Sequence, residues 1–407
     1  MSSPSRQRFE PLRNTLSAPW QAWLVHGLLV FTAAGITEWL TPGRDDVRPQ
    51  LGRVGQVLLG PLSNWDGAWY LRIAEEGYAT RQSTAFFPLY PLLIRWVSEV
   101  TGVSLRLAGL AISSLAFLGA LLLLHRLVRD RYGADIATRA IWLLALTPFG
   151  FFFSAVYTES LFLMLSLAAL VLAREGRWTS AALALFLVTL TRSAGVFVAV
   201  PLAFTLIEQR GFDLRRLINP GVQIAAGAAG PLVFAAHLRR VWDDPFLMGS
   251  IQSEWERAFA WPWTTLWTAL EDARMHYIVP RAACTSLIRD GEYGACLELA
   301  GIQWDVLSDD FAIVCLVVAI PLLFVAARRM APGESIYAAL LVVFPLFNPS
   351  TYGALYSMPR YILVVWPVFV ALAMVIRRKW LYRAVLVTSA AAMCGLMALH
   401  ASSYFVS

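Results

Sequence analysis

Apolar stretches of about 20 residues recur along this chain, and a helix of that length crosses the hydrocarbon core of a bilayer. Only helices and closed barrels satisfy their backbone there, so the chain is expected to be an all-α, polytopic membrane bundle. Of its 407 residues, 58% are hydrophobic and 15% charged, against about 25% charged in soluble domains. No polar stretch would hold a sizeable soluble domain, and no linker, internal repeat or low-complexity tract divides the chain. Residues 1–407 are therefore expected to form a single transmembrane domain. The net charge of +6 comes with one lysine, Lys379, which points to an arginine-rich bacterial composition rather than a nucleic-acid partner.

Eleven candidate spans can be drawn, at about 20–41, 105–127, 136–155, 158–173, 178–193, 195–208, 219–241, 310–328, 333–348, 359–376 and 382–400. The first is expected to be an uncleaved helix rather than a signal peptide. Arginine alternates between loops. Arg126, Arg129, Arg131 and Arg139 share one loop, Arg174 and Arg177 another, and Arg210, Arg215 and Arg216 a third. Arg328 with Arg329, and Arg377, Arg378, Lys379 and Arg383, follow. Short cytoplasmic loops collect positive charge, so the N-terminus is expected in the cytoplasm of a bacterial plasma membrane and the C-terminus outside. The cytoplasmic charges read as plain topology signals.

Two long outer loops result, about 42–104 and 242–309. In the first, Ser63–Ala79 reads as an interfacial amphipathic helix, with Trp65, Trp69 and Ile73 opposite Arg72, Glu75 and Glu76. Phe86–Ile94 is apolar but short and broken by prolines, so it is expected to dip into the membrane and return.

On this topology the unusual polar residues gather at the outer face. Asp66 stands in Asn64-Trp65-Asp66-Gly67-Ala68-Trp69-Tyr70, Tyr157 and Glu159 follow the third span, and Arg192 ends the fifth. Gln252, Trp255 and Arg257 lie in the second long loop, and Tyr356, Arg360 and Tyr361 open the tenth span. Singly, each has an ordinary role: a helix cap for Asp66 or Glu159, a headgroup contact for Arg192, the start of a span for Arg360, an interfacial surface for Gln252 and Trp255. Their convergence is the stronger signal.

Nucleotide-activated sugars stay in the cytoplasm, so transfer at an outer face needs a donor carried on a lipid phosphate. A desolvated carboxylate suits a base that deprotonates an acceptor hydroxyl, which places Asp66 as the catalytic residue. Planar guanidinium groups suit a phosphate, which places Arg192 and Arg360 on the donor. Trp65, Trp69, Tyr157, Glu159, Gln252, Trp255 and Tyr361 are expected to shape the sugar and acceptor pocket. One base suffices for inversion.

From Asn64-Trp65-Asp66 to Gly77-Tyr78, then Phe86-Phe87-Pro88 and Pro91, the chain resembles the PIG-V family of mannosyltransferases. Tyr157-Thr158-Glu159-Ser160-Leu161-Phe162, Arg192-Ser193-Ala194-Gly195, Gln252 with Trp255, and Arg360-Tyr361 resemble its later blocks. The resemblance covers roughly Asn64 to Tyr361. It implies a GT-C glycosyltransferase bundle, a polyprenyl- or dolichol-phosphate mannose donor, and a base at Asp66. The sequence departs from the pattern at Ala194 and at Met358-Pro359, which bears on the acceptor, a lipid or glycan hydroxyl.

Cys284 and Cys296 share the second outer loop, where a disulfide is permitted and expected. Cys315 and Cys394 sit in apolar spans. The histidines are dispersed and no phosphate-cradling glycine loop appears, so no cofactor and no built-in metal site are expected. The acidic pairs Asp243-Asp244 and Asp309-Asp310 leave room for a loosely held divalent cation. Membrane lipids are the other expected partners. Alternatives are a flippase of lipid-linked sugars, for which paired halves would be expected, a non-catalytic accessory subunit, or an enzyme of the same fold moving another sugar.

Overall fold

A computed structural model describes residues 17–40, 59–274 and 307–402. The expected disulfide, Cys284 to Cys296, lies outside these residues. Among the described residues the chain is helical, with two isolated β-bridges and no strand. In order come α1 Ser17–Leu40, α2 Asp66–Glu76, α3 Leu89–Thr101, α4 Leu105–Tyr132 and α5 Ala134–Ala145. Then follow α6 Glu159–Arg174, α7 Trp178–Thr189, α8 Ala199–Arg210, α9 Leu214–Gly227 and α10 Gly230–Trp242. After a helix over 262–274 (α11) come α12 Leu307–Arg329, α13 Pro332–Val343, α14 Met358–Leu363, α15 Trp366–Val375 and α16 Lys379–Ala401.

Among the described residues, five helical segments are long and apolar enough to cross a bilayer: Ser17–Leu40, Leu105–Tyr132, Leu214–Trp242, Asp310–Arg329 and Lys379–Ala401. Shorter apolar helices cover Trp178–Thr189, Pro332–Phe347 and Trp366–Val375. This is an integral membrane bundle. Several of the eleven expected spans are broken within their length. The stretch 136–155 leaves α-helix at Leu146 and passes through a 3₁₀ turn, Gly150–Phe153. The stretch 359–376 divides into α14 and α15. Hydropathy reports average apolarity, which a 3₁₀ turn inside protein does not change.

At the centre α4 packs on α6 and on α5, and α6 on α7. Around them α1 lies against α16, α5 against α15 and α8 against α13. Phe151, Phe152, Phe153, Phe162 and Trp366 are fully buried there. The loop Ala155–Tyr157 threads this core because two helices lack side chains beside it. A Cβ on Gly67 would come within 3.4 Å of the Val156 carbonyl oxygen, and one on Gly109 within 3.0 Å of its side chain. The Val156 N–H donates to the Leu62 carbonyl at 2.8 Å, tying the loop to the start of α2.

The amphipathic helix of the first loop is present as α2, with its buried face rotated from the expected one. Gly67, Tyr70, Ile73 and Ala74 are buried, while Arg72, Glu75 and Glu76 are exposed. Trp65 precedes the helix and is 41% exposed, because a four-residue repeat cannot include a residue outside the helical register. Phe86 and Phe87 are buried, and the chain then turns helical at Leu89, with Pro91 in the first turn where no backbone donor is needed. Leu92, Trp96 and Val100 line the outer stripe of α3, an apolar face suited to lipid.

The end of the bundle away from Asp66 is more than a set of topology signals. Glu334, at the start of α13, is buried and pairs with Arg174 at the end of α6. It also accepts from the Tyr132 hydroxyl at 2.6 Å, and that hydroxyl in turn accepts from the Ala331 N–H at 3.1 Å. Arg131 stands 3.9 Å from the same carboxylate and bonds Glu208 at 3.1 Å. A buried carboxylate is tolerated only with such partners. Tyr132→Phe should therefore destabilise the detergent-solubilised protein by about 1.5–3 kcal/mol, the worth of a hydrogen bond to a charged group. An unchanged thermal melt would show that the network carries no stability.

Candidate functional site

Four charged side chains meet at one end of the bundle, each set by a different element. Asp66 is the first residue of α2 and Glu159 the first of α6, positions where the exposed N–H groups of a helix start favour an anion. Arg192 stands in extended backbone between α7 and the 3₁₀ turn Ser193–Val198. Arg360 lies in the short helix α14.

Arg360 is the hinge of the cluster. Its Nη1 donates to Asp66 Oδ2 at 2.7 Å, and its Nε donates to Glu159 Oε1 at 3.0 Å. Nη2 lies 3.0 Å from that same Glu159 oxygen. The guanidinium stacks over Tyr157 at 4.6 Å and Phe152 at 5.2 Å from the ring centres. Arg192 Nη1 reaches Glu159 Oε1 at 2.9 Å and its guanidinium lies 5.3 Å over the Tyr361 ring. Glu159 is wholly buried, and its Oε2 has no hydrogen-bond partner. Asp66 keeps 28% of its side chain exposed, so this carboxylate faces the approach to the site.

Aromatic rings wall the neighbouring space. Trp69 stacks on Phe86 at 5.8 Å and meets Trp255 edge-on at 5.5 Å. Trp255 also meets Phe86 at 5.8 Å. Tyr70 lies behind Phe86, and burial, reinforced by the Asp66 and Glu159 charges, holds its phenol above the ordinary value. The Tyr157 hydroxyl donates to the Asn64 carbonyl at 3.0 Å, fixing the residue two before Asp66.

An apolar cavity of about 530 Å³ lies between the end of α2 away from Asp66, α3 and α10. Ile73, Tyr78, Pro88, Leu92, Phe234 and His237 line it, with Leu190 from the end of α7.

The structure thus brings together Asp66, Tyr157, Glu159, Arg192, Arg360 and Tyr361, with Trp69 and Trp255 in the adjoining wall. Trp65 faces outward, and Gln252 spends its side-chain amide on the Met248 carbonyl at 3.4 Å. Arg360, for which a phosphate partner is expected, already has carboxylates on two edges of its guanidinium. One neighbour, His400, escapes a reading of sequence alone, and Arg257 shows its partners only in the fold. His400, near the end of α16, is buried against Phe151, Phe152 and Tyr157 with neither ring nitrogen bonded. Arg257 reaches the Asn348 carbonyl at 3.0 Å and lies over Tyr356. Among the described residues no three His, Cys, Asp or Glu side chains are grouped to hold a metal ion.

A family model described as Mannosyltransferase (PIG-V) matches residues 37–220, in agreement with the resemblance carried by the motifs. The GPI alpha-1,6-mannosyltransferase 2 of Homo sapiens is 33% identical over 174 residues, covering 40% of this chain and 35% of that protein. The GPI mannosyltransferase 2 of Chaetomium globosum is 28% identical over 248 residues, covering 49% and 52%. The matches thus span from about a third to half the length of these relatives. Among solved structures, an Archaeoglobus fulgidus oligosaccharyltransferase aligns with a TM-score of 0.49 at 16% identity, over 95% of this chain and 53% of that one.

Proposed function

We propose that this chain is an inverting glycosyltransferase that moves a sugar, most simply mannose, from a polyprenyl-phosphate carrier to a lipid or glycan hydroxyl at the extracytoplasmic face. The observation that carries this reading is a partly exposed carboxylate, Asp66, set in a guanidinium-rich cluster at the start of a helix whose other end lines an apolar cavity. The similarity to PIG-V mannosyltransferases supports the sugar.

In this reading Asp66 removes the proton from the acceptor hydroxyl. The freed oxygen attacks the anomeric carbon from the face opposite the phosphate, and the bond from that carbon to the phosphate oxygen breaks. The phosphate leaves with the electron pair on its lipid. Because Asp66 Oδ2 is held by Arg360, the carboxylate presents a fixed edge, and such positioning is a large part of what a protein contributes to catalysis. Trp69 and Trp255 offer flat apolar surfaces to a sugar ring, and the cavity along α2, α3 and α10 suits a hydrocarbon chain.

Purified full-length protein in lipid vesicles, supplied with labelled polyprenyl-phosphate mannose and an extract of membrane lipids, should yield a labelled glycolipid and free polyprenyl phosphate. Label that crosses the bilayer on an unchanged carrier would replace this reading with the flippase. No product from several such donors would remove it.

A further inference from the structure

We propose that Arg257, acting with Arg192, is the phosphate-binding pair of this site, its ligand being the phosphate of a polyprenyl-phosphate carrier. The inference rests on the glycosyl-transfer reading and moves the anion-binding role from Arg360 to a residue of the second long loop. Arg360 is unsuited to that role because its charge is answered by Asp66 and Glu159 at 2.7 and 3.0 Å and it is only 4% exposed.

Arg257 differs in each respect. It is half-buried, and among the described residues no carboxylate lies in ion-pair contact with it. The acidic neighbours on its own loop are otherwise engaged. Glu254 stands by Arg81 and accepts from Gln82, and Glu256 accepts from the Thr351 hydroxyl. The arginine is nevertheless fixed in place. A β-bridge joins it to Ser350, the Ala258 N–H donates to the Pro349 carbonyl at 3.3 Å, and its Nη1 donates to the Asn348 carbonyl at 3.0 Å. Its guanidinium lies over Tyr356, and the charges of Arg257, Arg192 and Arg360 all bear on the adjacent Tyr361 hydroxyl. Arg192 and Arg360 answer the two carboxylates Asp66 and Glu159, and Arg257, over the neighbouring Tyr356 ring, brings a further positive charge that no carboxylate contacts among the described residues.

Backbone strain marks the residue just before Arg257. Four non-glycine residues among those described have positive φ: Trp65 at 58°, Asp243 at 56°, Glu256 at 55° and Ser357 at 67°. Asp243 closes α10. The other three immediately precede Asp66, Arg257 and the turn of helix that carries Arg360. Such conformations cost about 1–3 kcal/mol each and collect where a site is held in place.

Binding of polyprenyl monophosphate to the full-length protein in nanodiscs, measured by calorimetry, tests this directly. Arg257→Gln should weaken it at least about tenfold, Arg257→Lys less, while uncharged polyprenol binds both forms alike and the thermal melt is unchanged. In turnover assays the same variant should raise KM for the donor more than it lowers kcat. Equal affinity of wild-type and Arg257→Gln protein for polyprenyl monophosphate overturns the assignment and leaves glycosyl transfer standing. A wild-type protein that binds no polyprenyl phosphate overturns both. If inorganic phosphate competes at equal concentration, the arginine pair stands and its ligand is free phosphate.

Discussion

Asp66→Asn is expected to lower sugar transfer by about 10²–10⁴-fold, the range attributed to a positioned general base, with folding and donor binding retained. Asparagine has nearly the same shape, and its carbonyl oxygen still accepts from Arg360 Nη1, which lies 2.7 Å from the present carboxylate. What is lost is the capacity to take a proton. Labelled-mannose turnover beside a thermal melt separates the two properties. Near-wild-type transfer by this variant would mean that Asp66 only orders the start of α2. Asp66→Ala is less informative, since it also strips Arg360 of one of its two carboxylates and enlarges the mouth of the site.

Replacing Arg360 with methionine should cost about 3–5 kcal/mol of stability, the penalty for leaving a buried charge without its partner. The wholly buried Glu159 would keep one guanidinium, Arg192, and Asp66 would keep none of those now seen. Arg360→Lys should fall between, because a single ammonium cannot meet two carboxylates along separate edges. Combining Arg360→Met with Asp66→Asn should restore part of the loss, since the second change neutralises the carboxylate that the first leaves unpaired. Thermal melts of the three variants in detergent decide this. If Arg360→Met were as stable as the parent protein, the buried ion pairs would not hold α2, α6 and α14 together.

Much of the architecture and part of the site are legible in the residues alone. Apolar length announces α1, α4, α12 and α16, and the motif around Asp66 announces α2. Alternating arginines bring Asp66, Glu159, Arg192 and Arg360 to one face without any knowledge of contacts. Partners, however, are not a local property. Arg360 sits 294 residues from Asp66 and 201 from Glu159, and no periodicity reports such a pairing. The same holds for Glu334, which its sequence neighbours mark only as an acid after Pro332, and for His400, whose ring is walled by residues about 250 positions earlier. Arg257 is marked in the sequence by its place beside Gln252 and Trp255 in the second long loop, but its contacts with Asn348 and Tyr356, about 90 to 100 positions on, are not. Breaks inside apolar stretches are hidden for a related reason, because Phe151 and Phe153 are as apolar in a 3₁₀ turn as in a span.

The long separation across the central ion pairs has a consequence for biosynthesis. The ribosome delivers Asp66, Glu159 and Arg192 well before the arginine at 360 has been made, so through most of translation Asp66 lacks the guanidinium that it pairs with in the folded chain. Chains cut short before α14 would keep their acids and never gain that balancing charge. Insertion of the last third of the polypeptide is thus the step that completes the charge network of the site.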